Sequence, residues 1–127
     1  MNLARGLEVL RAFTAATPLL GNREVADRTG LPRPAVARLT YTLTLLGYVS
    51  RDAHGQKGRL GPGVLSLAHP LLASMQVRQL AKPLMESLAR TTGCTVNLGV
   101  RDRDQLVYID SVRADSTNQH LPDIGTT

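Results

Sequence analysis

Cysteine and metal ligands are scarce in this sequence of 127 residues. The single cysteine, Cys94, cannot form an internal disulfide framework or a cysteine-based zinc site, and we expect it to be a small buried side chain. The histidines, His54, His69 and His120, lie far apart without acidic or cysteine neighbours at ligand spacing. The sequence therefore predicts neither a disulfide-stabilised fold nor a bound metal.

Long apolar runs are also missing. No stretch approaches the roughly 18 residues that a membrane-spanning helix requires. The N-terminal segment has an apolar stripe rather than an apolar block, and no small-residue cleavage site follows it, so a signal peptide is not predicted. We therefore expect a cytoplasmic protein that does not enter a membrane.

Catalytic motifs are a third absence. The sequence contains no Gly-x-Ser-x-Gly, phosphate-binding glycine loop, His-Glu-x-x-His or Cys-x-x-Cys pattern. Asp102, Asp104 and Asp110 surround a predicted strand turn, and we expect them to form that turn and one exposed strand position. Neither an enzymatic activity nor a cofactor is predicted.

Positive charge, by contrast, is concentrated in the first half of the chain. Residues 1–62 carry nine basic and four acidic side chains, and nine minus four gives +5. Residues 63–127 carry six of each and are neutral. A basic half beside a neutral half suggests that the first half binds a polyanion.

Apolar spacings in the basic half predict three helices, over residues 3–16, 23–29 and 33–46. Asn22 is the expected N-cap of the second helix. Gly30 supplies the left-handed residue that ends this helix and starts a tight turn. A short helix, a glycine turn and a longer helix are the signature of a helix-turn-helix.

Two short extended runs follow the third helix, at residues 48–51 and 59–62, with a polar glycine-containing loop between them. Such a pair predicts a β-hairpin, and a hairpin in this position is the wing of a winged helix-turn-helix. We expect residues 1–62 to fold in this way and to bind double-stranded DNA.

The neutral half continues with apolar segments. Residues 64–75 are expected to be helical, with a kink or restart at Pro70, and residues 77–92 form a further predicted helix. Two strands, 95–100 and 105–112, are joined by a tight turn. No regular element is predicted after them.

Five segments between residues 5 and 112 form a family pattern. They are RGLEVLRAF, EVADRTGLPRPAVARLTYTLTLLGYVSRD, GRLGPGVLSLA, LAKPLMESLARTTGCTVNLGV and LVYIDSV. Together they resemble bacterial transcriptional regulators of the IclR type (the isocitrate lyase regulator family).

The resemblance implies a mainly α fold with small β elements, in three parts. Residues 1–62 are the winged helix-turn-helix, and 63–76 are a linker helix that helps to form a homodimer, or a dimer of dimers. Residues 77–127 are the first helix and two antiparallel strands of an α/β effector-sensing domain. Because family members continue for about as long again, the chain is truncated within that domain, and we expect no small-molecule effector to bind it alone.

The third helix is the expected recognition helix. With Val36 at the centre of its buried face, about 100° per residue places five side chains on the opposite side, where DNA is expected: Pro34, Ala37, Arg38, Tyr41 and Thr42. Arg33 projects from the start of the helix, and Ala35 is a further candidate contact.

These side chains suit different contacts. Arg33 and Arg38 can pair with guanine O6 and N7, although the residues alone also allow solvated helix charges. An alanine at position 35 or 37 suits a thymine methyl, and Tyr41 and Thr42 suit phosphate oxygens. The family usually has Ser-Thr where this chain has Pro34 and Ala35, so the operator sequence is expected to differ.

Further basic residues are candidate phosphate contacts on the second helix and the wing. They are Arg23, Arg28, Arg51, Lys57 and Arg59, with His54 and Gln56 beside them on the wing.

The linker helix carries an apolar stripe of Leu65, Ala68, Leu72 and Met75. It either forms a dimer seam or covers the core of its own domain. We expect a sequence-specific, dimeric transcriptional regulator. The alternative is a truncated regulator that acts as an interaction module by pairing with full-length subunits.

Overall fold

A computed structural model of the protein describes residues 1–113 and 124–127. Residues 114–123, which include His120 and most of the segment without a predicted element, lie outside the described residues. The chain divides into two compact units, Met1–His69 and Pro70–Thr127, called unit 1 and unit 2 below. The fold is mainly helical with two small antiparallel sheets, as predicted.

Unit 1 contains the three predicted helices and the predicted hairpin. Its elements are α1 (Asn2–Arg11), β1 (Leu20–Gly21), α2 (Asn22–Thr29), α3 (Arg33–Leu45), β2 (Val49–Arg51) and β3 (Lys57–Leu60). Helix α4 (Pro62–Ser74) starts in unit 1 and continues past its end.

One apolar core joins the helices of unit 1 to its sheet. Val9 on α1, Val25 on α2, Val36 on α3 and Val49 on β2 are all fully buried and belong to the same cluster. The predicted central position of Val36 is confirmed. Because each element contributes one buried valine to this cluster, the orientation of α3 is fixed by packing on three sides.

Helix α1 ends at Arg11, five residues before the predicted end. The cause is a local set of hydrogen bonds between Thr14 and Thr17. The Thr17 N–H donates to Thr14 Oγ1 at 3.1 Å, and the two hydroxyls lie 2.7 Å apart. Threonine side chains that bind nearby backbone in this way compete with helical hydrogen bonds.

Helix α2 begins differently from the prediction. Asn22 is its first helical residue rather than its N-cap. The N–H of Gly21, the residue before it, donates to Glu24 Oε1 at 3.0 Å. This backbone hydrogen bond holds the pKa of Glu24 below its usual value, and the Lys57 ammonium adds to the effect.

The sheet of unit 1 has three strands in the order β1-β3-β2, all antiparallel. Strand β3 starts at Lys57, two residues before the predicted start. Strand β1 was not predicted, since two residues show no periodicity; it pairs Leu20 with Gly58 and so fastens the base of the wing to the segment before α2.

Asp52 organises the tip of the wing. Its Oδ1 accepts from the backbone N–H groups of Gln56 at 3.0 Å and of Lys57 at 3.3 Å. Its carbonyl accepts from the N–H of Gly55, which has a positive φ of 68°. The wing tip is therefore an ordered turn.

We expect Asp52→Ala to lower the free energy of unfolding by about 1 kcal/mol, because two backbone donors lose their acceptor at a surface site. Asp52→Asn keeps an acceptor oxygen and is the control. Amide hydrogen exchange at Gln56 and Lys57 measures the effect. Unchanged exchange at both amides in Asp52→Ala would contradict this function of Asp52.

Unit 2 packs a helix against a hairpin. Helix α5 (Gln76–Thr92) contacts β4 (Val96–Asp102) and β5 (Gln105–Val112), which form an antiparallel pair. Both predicted strands are present. Cys94 is exposed and not buried as expected, because it follows the left-handed Gly93 that ends α5 and precedes the first strand.

A β-bulge changes the alternation of side chains in β5. The register shifts between Leu98 and Gly99, so Ile109 is an extra residue opposite them. Neighbouring strand residues normally face opposite sides, but here Ile109 and Asp110 are both buried, at 3% exposure each. The expectation that Asp110 occupies an exposed strand position is wrong for this reason.

Buried Asp110 is held by two cations of α5. Its Oδ2 lies 3.5 Å from Arg78 Nε and 3.9 Å from Lys82 Nζ. Its Oδ1 accepts from the N–H of Ser111 at 2.9 Å. These contacts fasten the helix to the strand within unit 2.

Among the residues that the structure describes, no helix is both long enough and apolar enough to cross a membrane. No three histidine, cysteine or acidic side chains come together as ligands for a metal ion in the same residues.

Candidate nucleic-acid interface

The outer face of α3 is a convex surface of exposed side chains. Pro34, Ala37, Arg38 and Tyr41 lie on it, and Arg33 projects from the first turn. Tyr41 is 65% exposed although it is aromatic. The fully buried residues of α3, Val36 and Thr40, lie on the other side of the helix.

Arg38 is the exposed cation of this face, and Arg33 is the exposed cation at the start of the helix. Within the described chain neither guanidinium makes a hydrogen bond or an ion pair. A guanidinium without an intramolecular partner retains all its donors for a base edge or a phosphate. Their spacing of five residues places them on successive turns of one helix.

Ala35 does not belong to this face. Its exposure is 6%, and it lines a groove against α1 together with Leu39. Its methyl group is therefore unavailable to a thymine, and Ala37, which is exposed, remains the alanine that can make such a contact. The sequence of one helix did not show this, since it contains no information about where α1 packs.

Thr42 is exposed, but its hydroxyl is already engaged. It donates to the carbonyl of Arg38 at 3.1 Å, and Thr44 donates to the carbonyl of Thr40 at 2.7 Å in the same manner. A hydroxyl whose proton is used in this way can only accept. Thr42 therefore needs a new rotamer before it can donate to a phosphate.

The wing cations differ in their contacts. Lys57 Nζ lies 3.6 Å from Glu24 Oε1, and Arg51 Nη2 donates to Asn22 Oδ1 at 3.5 Å. Both contacts fasten the wing to the start of α2. Arg59 is exposed and makes no such contact with any described residue.

Arg28 has a structural function on α2. Its Nη1 donates to the Ala12 carbonyl at 3.2 Å and to Thr17 Oγ1 at 2.7 Å. These bonds hold the end of α1 against α2. Arg23, one turn earlier, is exposed and stays a simple candidate for a phosphate contact.

One residue on the outer face of α3 was not predicted. Leu45 is 69% exposed and lies one turn after Tyr41. The signal was available, because position 45 continues the spacing of Tyr41 and Arg38. It extends the face with an apolar end.

The linker helix α4 has no fully buried residue. Of the predicted seam, Leu65 is 71% exposed, while Ala68, Leu72 and Met75 are half-buried. The exposed leucines that sequence reasoning missed on this helix are Leu67 and Leu71.

The fold and the basic surface define unit 1 as a winged helix-turn-helix. The IclR helix-turn-helix domain matches residues 2–53, and the C-terminal domain of the bacterial transcriptional regulator IclR matches residues 69–127. The chain belongs to the IclR family, whose members are transcriptional regulators and not enzymes.

Individual relatives are similar along nearly the whole chain. The HTH-type transcriptional regulator TsaQ1/TsaQ2 of Comamonas testosteroni is 39% identical over 118 residues, which are 93% of this chain and 42% of that protein. The crystal structure of an IclR family transcriptional regulator from Brucella abortus is 43% identical, with a TM-score of 0.85, and the match covers 98% of this chain and 47% of that one.

A third relative carries a ligand. The crystal structure of an IclR homolog from Microbacterium hydrocarbonoxydans, complexed with 4-hydroxybenzoate, is 25% identical with a TM-score of 0.79, covering 99% of this chain and 52% of that one. The chain spans about half the length of these relatives or slightly less.

Proposed function

We propose that the protein is a sequence-specific, DNA-binding transcriptional regulator whose helix α3 enters the major groove of an operator half-site. Residues 1–62 are its DNA-binding domain, 63–76 its linker helix and 77–127 the first part of an effector-binding domain. The protein acts in the cytoplasm, where bacterial operators are found.

The observation that carries this proposal is that some basic side chains of unit 1 have intramolecular partners and others have none. The side chains of Arg28, Arg51 and Lys57 have intramolecular partners. The guanidinium groups of Arg33 and Arg38 on α3 have none in the described chain. In a helix-turn-helix, the N-terminal part of the second helix contacts base edges. Arg33 and Arg38 occupy that part of α3.

The remaining candidates complete the contact surface. Arg33, Arg38 and Ala37 contact base edges, beside Pro34 at the helix start. Tyr41, with Thr42 after a rotamer change, contacts phosphate, as do the cations of α2 and the wing. Among those cations, Arg23 and Arg59 are exposed and have no intramolecular partner in the described chain. Arg28, Arg51 and Lys57 contact phosphate through the N–H donors that their intramolecular contacts leave free.

The test begins with selection of bound duplexes from a random pool, followed by affinity measurements at several salt concentrations. We expect log K to fall linearly with log salt, with a slope of about −0.9 for each neutralised phosphate. The affinity of the protein for an acidic polypeptide is the control for general polyanion binding. Duplex affinity that does not change with salt, or a pool without enrichment, would refute the proposal.

The protein acts as a homodimer in this proposal, since operators with two half-sites require two recognition helices. The seam is formed by Leu65, Ala68, Leu72 and Met75, supported by the exposure of Leu65. Sedimentation of Leu65→Gln against wild type tests it: the variant is expected to be monomeric at concentrations where wild type is dimeric.

The exposed leucines of α4 also favour a second candidate function. In this alternative, the protein pairs through α4 with full-length subunits and acts as an interaction module. Arg38→Ala separates the two candidates, because subunit pairing is expected to survive this change whereas DNA binding is not. A small organic acid, of the kind that 4-hydroxybenzoate represents in its relative, is the proposed effector of the effector-binding domain.

A further inference from the structure

The carboxylate of Glu24 is held in one place at the start of α2. Its Oε1 accepts from the N–H of Gly21 at 3.0 Å. Because this hydrogen bond favours the charged form, the pKa of Glu24 lies below its usual value, with the Lys57 ammonium as a further cause. Glu24 is therefore an anion with a defined orientation, although its side chain is half exposed.

Lys57 faces this anion from the wing. Its Nζ lies 3.6 Å from Glu24 Oε1, the same oxygen that binds Gly21. The backbone of Lys57 is fixed as well, because it pairs with Gly21 in the sheet and its N–H donates to Asp52 Oδ1 at 3.3 Å. Main chain and ammonium group are both held, so this lysine has less freedom to lose on binding than a solvated surface lysine.

The other basic residues of the wing strands are held differently. Arg51 donates to Oδ1 of Asn22, a neutral amide, at 3.5 Å, and Arg59 has no such contact in the described chain. Of these three basic residues, Lys57 is the one whose side chain is paired with an anion among the described residues. The pair uses one of the three ammonium N–H donors and leaves two for a phosphate.

We propose that Glu24 is a positioning residue of the DNA interface, which holds the ammonium group of Lys57 in place so that its two free donors meet a phosphate beside the half-site. This inference rests on the proposed function of unit 1. A lysine loses rotamer freedom when it binds, and Glu24 removes part of that loss before the duplex arrives. Its own negative charge also repels phosphate, and this opposing effect is measured separately with a matched variant.

The first measurement contains no DNA. Glu24→Gln keeps an oxygen that accepts from the Gly21 N–H, but it removes the charge that attracts Lys57. We expect NMR relaxation of the Lys57 Cε methylene to show larger picosecond-to-nanosecond motion in this variant than in wild type. Asp27→Asn removes the same charge from an exposed position further along α2, and Lys57 is expected to move there as in wild type. Equal motion in all three proteins would overturn the positioning of Lys57.

A double-mutant cycle with the selected operator duplex measures the effect on binding. Lys57→Gln is expected to weaken binding and to reduce the salt slope by about one phosphate. In the Glu24→Gln background, where Lys57 is no longer held, the same substitution is expected to cost about two- to fivefold less affinity, the range of an exposed ion pair. In the Asp27→Asn background it is expected to cost as much as in wild type, because only the general charge has changed.

Two results of the cycle would overturn the inference while duplex binding itself persists. Equal losses from Lys57→Gln with and without Glu24 would show that the pair does not affect DNA binding. A larger loss in the Glu24→Gln background would show that Glu24 withholds Lys57 from phosphate. A wild-type protein that enriches no duplex is a different result, which refutes the proposed function and, with it, the effect of Glu24 on binding.

Discussion

Replacement of Arg38 by alanine is expected to weaken binding to a selected operator duplex by about 1–3 kcal/mol and to relax the base preference at one position. The reason is the location of Arg38 on the outer face of α3 without an intramolecular partner in the described chain. Fluorescence anisotropy with the selected duplex and with single-base variants measures both effects.

The control for this prediction is Arg11→Ala, which removes the same charge from an exposed position on α1. It is expected to change affinity little and base preference not at all. Arg59→Ala on the wing is expected to weaken all sequences alike and to reduce the salt slope by about one phosphate. If Arg38→Ala and Arg11→Ala give equal losses on every duplex, Arg38 is only a solvated helix charge.

The second large effect is expected in unit 2. Arg78→Met leaves the carboxylate of Asp110 buried with only the more distant Lys82 as a cation. Removal of one partner from a buried pair is strongly destabilising, because the other charge stays in a poorly solvated place. We expect a loss of about 2–3 kcal/mol, less than for a fully buried pair because Lys82 remains.

Hydrogen exchange of the β5 amides measures this loss of stability within unit 2, so unfolding of unit 1 does not affect the result. Lys82→Met is the matched variant; its side chain is half exposed and we expect it to cost less than about 1 kcal/mol. The double variant Arg78→Met with Asp110→Leu removes both charges and is expected to recover most of the stability. Equal small losses from Arg78→Met and Lys82→Met would show that Asp110 is well solvated.

Helices and their ends were predictable where the sequence of a single element determines its structure. The stripe around Val36 and the glycines Gly30 and Gly93 gave α3 and two helix ends, because periodicity and a left-handed residue are local properties. The outer face of α3 was predicted from the same stripe, since Arg38 lies opposite Val36 on the helix. Contacts of this face with DNA stay a prediction.

The sequence-based predictions were wrong where the burial of a residue depends on a second element. Ala35 was assigned to the DNA face because a single helix does not reveal that α1 packs beside it. Asp110 was expected to be exposed, because alternation fails at a bulge that depends on the register of β4. The threonine pair that ends α1 is local, but threonine also occurs inside helices, as Thr40 and Thr42 show.

The pairing of β1 with β3 has a consequence for how this domain can change over generations. Since Leu20 pairs with Gly58, the chain from α2 to β2 is a closed loop whose two ends meet at the base of the wing. Residues inserted between Asp52 and Lys57 lie beyond that base. The entropic cost of closing a longer loop rises only slowly with its length. The wing tip is thus the place where such a protein can acquire additional reach along the proposed operator while α3 keeps its position.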